Sequence, residues 1–513
     1  MNKFSLHISL QNKWHFFLQG ILVLFPVFGF SQVQLAKIFS DNMVFQHNEP
    51  VKIWGKAKPG ETVTVVFANE KRSSTAQQDS GWTVTFKAQE ANIHPQSVFV
   101  ICSDEKIEIK NILIGDVWLC IGQSNMEWPM IKEAHYKEEI QNSQQPLLRL
   151  YNPTYAGKNT FNVLFTDSII KNLTTEKFYN GQWQTCDSNS FKTMSAVAYY
   201  FGKEIVSLAG IPIGLINISI GGSPLETFIS TETLKSNKQF SGKINGDWLA
   251  NNNLPVWIRE RGKQNVGSLN NVPNDDYGNN HAFKPGFAFE AGIVPILNMP
   301  IKGMICYQGE SNAQETERVN EYAALSKLMI DDYRRKWKQP DLPFYFVQLS
   351  SINTIKYKGH LWPQFRDEQR KILQLIPYSG MAVCSDIGAK DDVHPANKKT
   401  VGERLARWAL HKTYHKKIVP SGPMPLTAKY RKGKVLISFQ YKANRLRTAD
   451  GKPLKGFSLD GKNEVNAILG DRSIIISTNQ KPEYVYYGWT AFSYGNLVNS
   501  ENLPASTFKI KVQ

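Results

Sequence analysis

The run Asp116-Val117-Trp118-Leu119-Cys120-Ile121, closing on Gly122-Gln123-Ser124-Asn125-Met126-Glu127, constrains this chain more than any other stretch. It is short, apolar and suited to a buried strand, so Ser124 is expected in the turn leaving the strand's C-terminal end. Beyond residue 111, segments of this kind alternate with helical spacing. Strands are predicted over about 211–220, 301–307, 344–349 and 381–384, and helices over about 195–208, 317–337 and 398–413. Such alternation calls for a parallel sheet wound with helices on both faces. Sheets of this class bind ligands outside the carboxyl ends of their strands. Three polar blocks fall there: the Ser124 block, Tyr307-Gln308-Gly309-Glu310-Ser311-Asn312, and Asp391-Asp392-Val393-His394-Pro395.

The flanks read differently. Residues 32–110 carry short alternating strands, such as Thr62-Val63-Thr64-Val65-Val66-Phe67, and predict a small β-sandwich. Without an evident aromatic platform it reads as a scaffold rather than a carbohydrate-binding module. Alternation returns over 421–513, predicting a β-rich C-terminal domain that packs back on the α/β domain at 111–420. Within the latter, about 230–284 is rich in Asn and Gly and holds Trp248 and Trp257; it is too long for a plain connection and reads as an insertion near the active edge, a candidate lid. Residues 1–31 place Lys3 and Lys13 before an apolar stretch too short for a membrane span, which predicts a signal peptide and export to the periplasm or beyond. No cysteine lies between residues 14 and 101 to take a lipid, so no stable membrane anchor is expected.

The net charge of +16 attracts anions, but the basic residues are scattered, with no basic stripe interleaved with aromatics, so nucleic-acid binding is not expected. Five cysteines, Cys102, Cys120, Cys186, Cys306 and Cys384, are too sparse for a disulfide scaffold and lack C-x-x-C spacing. Buried thiols are expected, although export would permit one bridge.

Chemistry enters with Ser124. A serine hydroxyl becomes a nucleophile only when a base takes its proton, and histidine suits that role near neutrality. Of the ten histidines only His394 has an acid three residues before it, Asp391, which a short turn can bring to the far ring nitrogen. Gly309-Glu310-Ser311-Asn312-Ala313 nearly satisfies a nucleophile elbow, making Ser311 a rival. Asp386, Asp391, Asp392 and His394 could be imagined as a metal site, but no second histidine is spaced to help, so no metal is expected. The Ser124 backbone N–H and a Gly222 N–H are candidate donors to a developing oxyanion.

Together the three blocks resemble the sialate O-acetylesterase family, a carbohydrate-esterase branch of the SGNH hydrolases. The resemblance extends to Asp41-Asn42-Met43-Val44-Phe45-Gln46 and, near the end, to Tyr487-Gly488-Trp489, Asn496-Leu497 and Leu503-Pro504-Ala505. It implies an SGNH-type, flavodoxin-like three-layer α/β domain in which Ser124 attacks an acetyl ester on a sugar, His394 is base then acid, and Asp391 orients it, with no cofactor. It also assigns the Gln-Gly-Glu block to oxyanion stabilisation, through Gln308 or alternatively Asn312. Acetylated sialic acid is the implied substrate, with Arg366 as the candidate cation for its carboxylate. Acetylated xylan is the runner-up, and a glycan-binding protein without turnover is the alternative from another class.

Overall fold

The computed structural model describes residues 33–353, 359–470 and 473–513; the expected signal peptide lies outside the described residues. At the N-terminus, β1 (Val51–Lys56) pairs antiparallel with β3 (Gly81–Phe86), and β2 (Thr62–Phe67) with β4 (Asn92–Cys102). Side chains alternate across each strand, so Val63, Val65 and Phe67 are buried from one sheet and Trp82, Val84 and Phe86 from the other. The Phe67 and Phe86 rings meet edge to face at 5.6 Å and tie the two sheets together.

A hairpin carries β4 into β5 (Glu105–Gly122), an 18-residue strand. Its first part alternates buried and exposed positions; from Ile112 onward every residue is buried. The alternating part belongs to the N-terminal sheet, where one face meets solvent, and the continuous part to a sheet covered on both faces. The expected boundary at 110/111 therefore marks a change of environment inside one strand rather than a linker.

The second half of β5 is central to a parallel sheet with β6 (Gln145–Tyr151), β7 (Ile213–Asn217), β8 (Gly303–Tyr307), β9 (Phe344–Val347) and β10 (Ser379–Ala382). The spatial order is β6-β7-β5-β8-β9-β10, with Trp183–Cys186 adding an antiparallel strand beyond β6. Setting aside that edge pair, β7-β5-β8-β9-β10 is the flavodoxin order. The chain departs from β5 to one side for β7 and to the other for β8, so the crevice of a doubly wound sheet opens at the C-terminal end of β5, where Ser124 sits. The helices that bear on the site and the sheet are α1 (Ser124–Glu127), α2 (Ala196–Ala209), α3 (Val256–Val266), α4 (Thr316–Trp337), α5 (Trp362–Leu375) and α6 (Lys399–Lys412). Two pairs cover the sheet, α2 with α6 and α4 with α5.

The segment expected as an insertion is ordered around α3. Trp248 is buried, its indole N–H donating to the Asn279 carbonyl at 2.8 Å, and His281 stacks against both Trp248 and Phe165. Residues after 420 form antiparallel sheets around a separate hydrophobic cluster that includes Val435, Ile437, Phe439, Ile474, Val485 and Phe508. All five cysteines are buried free thiols. Among the described residues no helix is long and apolar enough to cross a membrane.

Candidate active site

Gly122 closes β5 with φ at +140°, and a Cβ there would lie 2.1 Å from the Tyr307 carbonyl oxygen, so only glycine fits. This lets the ends of β5 and β8 meet, and the Gln123 N–H donates to that same carbonyl at 3.0 Å. The first motif block is thereby fixed against the second. Ser124 opens the single turn of α1, and its Oγ lies 2.8 Å from His394 Nε2. The Trp128 ring stacks on the His394 imidazole, with centroids 5.3 Å apart. Burial lowers the pKa of His394 below its ordinary value; Asp392 opposes this and Lys398 adds to it. The ring is therefore neutral at neutral pH, the state in which Nε2 can accept the Ser124 proton.

The orienting acid differs from the expectation. Asp392 folds back over its own turn, its Oδ1 accepting the His394 backbone N–H at 2.8 Å and lying 3.4 Å from His394 Nδ1. Among the described residues no hydrogen bond or ion pair joins Asp391 to His394. The assignment of Asp391 is thus corrected on geometry: the turn that three-residue spacing would allow is pre-empted by a tighter Asx turn from the next residue. Asp386 is held elsewhere, by a two-pronged contact with Arg404 at 2.6 and 2.7 Å.

Asn125 links all three blocks. Its amide nitrogen donates to Glu310 Oε1 and, at 2.9 Å, to the carbonyl of Val393, the residue before His394; its oxygen accepts from Lys398 Nζ. Burial drives both charged partners toward neutrality, raising Glu310 to about 7 and lowering Lys398 to about 7. The His394 loop is thus tied to the Ser124 turn through one buried side chain.

The oxyanion expectations divide. In α1 the Met126 and Glu127 N–H groups return to the Gln123 carbonyl, while among the described residues no acceptor takes the N–H of Ser124 or Gly222. Gly222 has φ at +76° and lies on the cavity wall beside Ser124. Gln308 is turned inward: its amide nitrogen donates to Asn312 Oδ1 at 2.8 Å and to the Ser223 carbonyl and Gln123 Oε1, each at 3.3 Å, while its oxygen accepts from Tyr322 at 2.6 Å. Asn312 is equally occupied, donating to Glu226 at 2.9 Å. Neither lines the cavity, and the Gln308 assignment is corrected to a brace between blocks. Gln123 does face the cavity, and its side-chain Oε1 accepts from Gln308 Nε2 and from the Gly309 and Ser311 N–H groups. The rival Ser311 donates its hydroxyl to the Gly222 carbonyl at 2.8 Å. Ser124 alone of the two meets a histidine.

Above the Ser124–His394 pair opens a cavity of about 530 Å³, walled in part by Phe161, Trp257, Arg261, Phe283 and Trp362. Three of these, Trp257, Arg261 and Phe283, come from the insertion. Arg366 does not reach it. This side chain is fully buried and donates to Ser351 Oγ at 3.3 Å, to the Gly488 carbonyl at 3.2 Å and to the Thr490 carbonyl. It joins α5 to the C-terminal β region, and its assignment as a substrate cation is corrected accordingly: Trp362, in the first turn of the same helix, takes the cavity side.

The family described as carbohydrate esterase, sialic acid-specific acetylesterase, matches residues 292–411, the segment holding the second and third blocks. The human sialate O-acetylesterase is 27% identical over 443 residues, covering 80% of this chain and 76% of its own length; the mouse protein is 26% identical over 461 residues, covering 78% and 80%. A carbohydrate acetylesterase from Xanthomonas citri has the same fold, with a TM-score of 0.76 at 26% identity over 94% of this chain and all of that one. Over most of its length the chain is similar to the sialate O-acetylesterases. It is an esterase.

Two features of the site are not foretold by the sequence. Lys398 follows His394 by four residues at the start of α6, a visible proximity, yet nothing in the sequence foretells its burial against Asn125. Trp257 and Arg261 are four apart on α3 and so share a face, a pattern open to reading once the helix is known.

Proposed function

We propose that the protein deacetylates O-acetylated sugars through an acyl-enzyme on Ser124, with esters of sialic acid preferred over those of neutral polysaccharide. The observation that carries the mechanism is the 2.8 Å contact between Ser124 Oγ and a neutral His394 Nε2 at the base of the cavity. His394 takes the serine proton as Oγ attacks the acetyl carbonyl carbon, then returns it to the sugar oxygen as the C–O bond breaks. Water, deprotonated by the same nitrogen, attacks the acetyl-serine carbonyl carbon; the acyl–Oγ bond breaks, His394 returns the proton to Oγ, and acetate leaves. The negative charge that develops on the carbonyl oxygen at each stage is met by the Ser124 and Gly222 N–H groups and by Gln123 Nε2.

Gln123→Ala is expected to lower kcat about a hundred- to a thousandfold with little change in KM, the cost of one missing oxyanion donor. Steady-state kinetics on an aryl acetate check this. Unaltered kcat would return the third donor to the Gln308 block.

The substrate preference rests on the family, whose mammalian relatives are named for sialate esters. Acetate release measured side by side from O-acetylated sialic acid, acetylated xylan and an aryl acetate tests it. Fastest release from the sialate supports the reading. Far faster release from xylan removes the sialate preference and leaves the esterase; no release from any of them leaves a glycan-binding protein. Export is part of the proposal, on the strength of Lys3 and Lys13 ahead of the apolar run.

A further inference from the structure

Arg261 projects from α3 into the wall of the cavity that holds Ser124 and His394. Its guanidinium lies over the Trp257 ring at 4.8 Å and over Phe161 at 5.5 Å. Two aromatic faces hold a planar cation in a fixed orientation. Its Nε and Nη1 are shielded from solvent and have no hydrogen-bond partner, an arrangement that costs free energy unless a ligand completes it. Among the described residues no carboxylate forms an ion pair with it, and its neighbour Glu260 is taken by Lys263 at 2.9 Å. Burial alone lowers its pKa, with no acid acting in the other direction. Of the other charge-bearing side chains on this wall, His394 is neutral and Glu310 is bonded inward to Asn125.

We propose that Arg261 is the specificity-determining cation of the site, receiving the carboxylate of an acidic acetylated sugar while the ester faces Ser124. This rests on the esterase reading above and deepens it. One guanidinium fork with free donors matches a singly charged, planar carboxylate, which it can meet with two parallel hydrogen bonds. The insertion then has a definite role: through Trp257 it packs on the nucleophile's surroundings, the indole N–H donating to the Gly222 carbonyl at 3.3 Å, and one turn later it presents the charge.

The test compares wild type with Arg261→Gln and Arg261→Lys on an O-acetylated sialic acid, an acetylated uronic acid, the methyl ester of each, and acetylated xylan, following acetate. In wild type, kcat/KM should favour an acid over its methyl ester. In Arg261→Gln that ratio should fall at least about tenfold, mainly through KM, as expected for loss of a charge-assisted pair. Arg261→Lys should restore part of it, keeping the charge without the fork. Whichever acid shows the larger ratio identifies the source of the carboxylate. A wild-type ratio near one, or equal losses on acids and esters in both variants, would overturn the proposal by reducing Arg261 to part of the wall. A second measurement needs no variant: the free sugar acid should inhibit aryl acetate hydrolysis by wild type more strongly than its methyl ester does, and equal inhibition would also overturn it. If wild type releases acetate from no substrate, the esterase reading itself has failed.

Discussion

Ser124→Ala is expected to abolish acetate release, with kcat falling about a millionfold, while the protein folds as before. In the proposed mechanism the Ser124 side chain forms the acyl-enzyme, and losses of this size follow removal of the nucleophile from serine hydrolases whose other groups act through it. A millionfold corresponds to about 8 kcal/mol of transition-state stabilisation. The folded state loses little, because the hydroxyl's one described side-chain contact is His394 and the turn around it is held by backbone bonds from Met126 and Glu127. Kinetics together with thermal unfolding check both halves. Appreciable turnover in the variant would move the nucleophile to Ser311.

The second large effect concerns the acid behind His394. Asp392→Asn is expected to lower kcat by about a hundredfold or more, up to the ten-thousandfold known for a buried orienting aspartate. The lower figure is the nearer expectation, since Asp392 is 58% exposed and its Oδ1 stands at 3.4 Å from Nδ1. Asp391→Asn should cost much less. The pH profile adds a sign. Activity requires neutral His394, so kcat/KM rises with pH through an inflection that lies below the ordinary value of 6.5 in the wild type. Asp392 holds that pKa up, so Asp392→Asn should move the inflection to still lower pH while lowering the plateau. The reverse pattern, a large loss at Asp391 and none at Asp392, would mean that the loop re-forms around substrate and brings the earlier carboxylate beneath the ring.

Five of the parallel strands, β5 and β7 to β10, were legible as apolar runs; β6 was not, because its first three residues are not fully buried and Arg149 interrupts its apolar pattern. The three polar blocks do converge at the C-terminal ends of β5, β8 and β10, as a parallel sheet requires. What could not be read is direction within a block. Adjacent residues Asp391 and Asp392 differ only in which way a turn closes, and Gln123 and Gln308 are both polar residues beside the site. The structure separates them by which amide nitrogen is consumed: Gln308 spends its own on three internal acceptors. Arg366 misled for a similar reason. Nothing local distinguishes an arginine that caps a cavity from one that ties α5 to carbonyls more than a hundred residues later. Arg261 lay in a stretch with weak periodicity, and its meaning depends on Phe161, a partner a hundred residues earlier.

The most direct test of the central claim, that Ser124 activated by His394 performs the deacetylation, is stoichiometric labelling with a serine-reactive phosphonate followed by peptide mass spectrometry. One label per chain is expected, on Ser124, with activity lost in proportion and labelling slowed strongly in a His394→Ala variant. A label on Ser311, or full activity in protein labelled at Ser124, would contradict that claim.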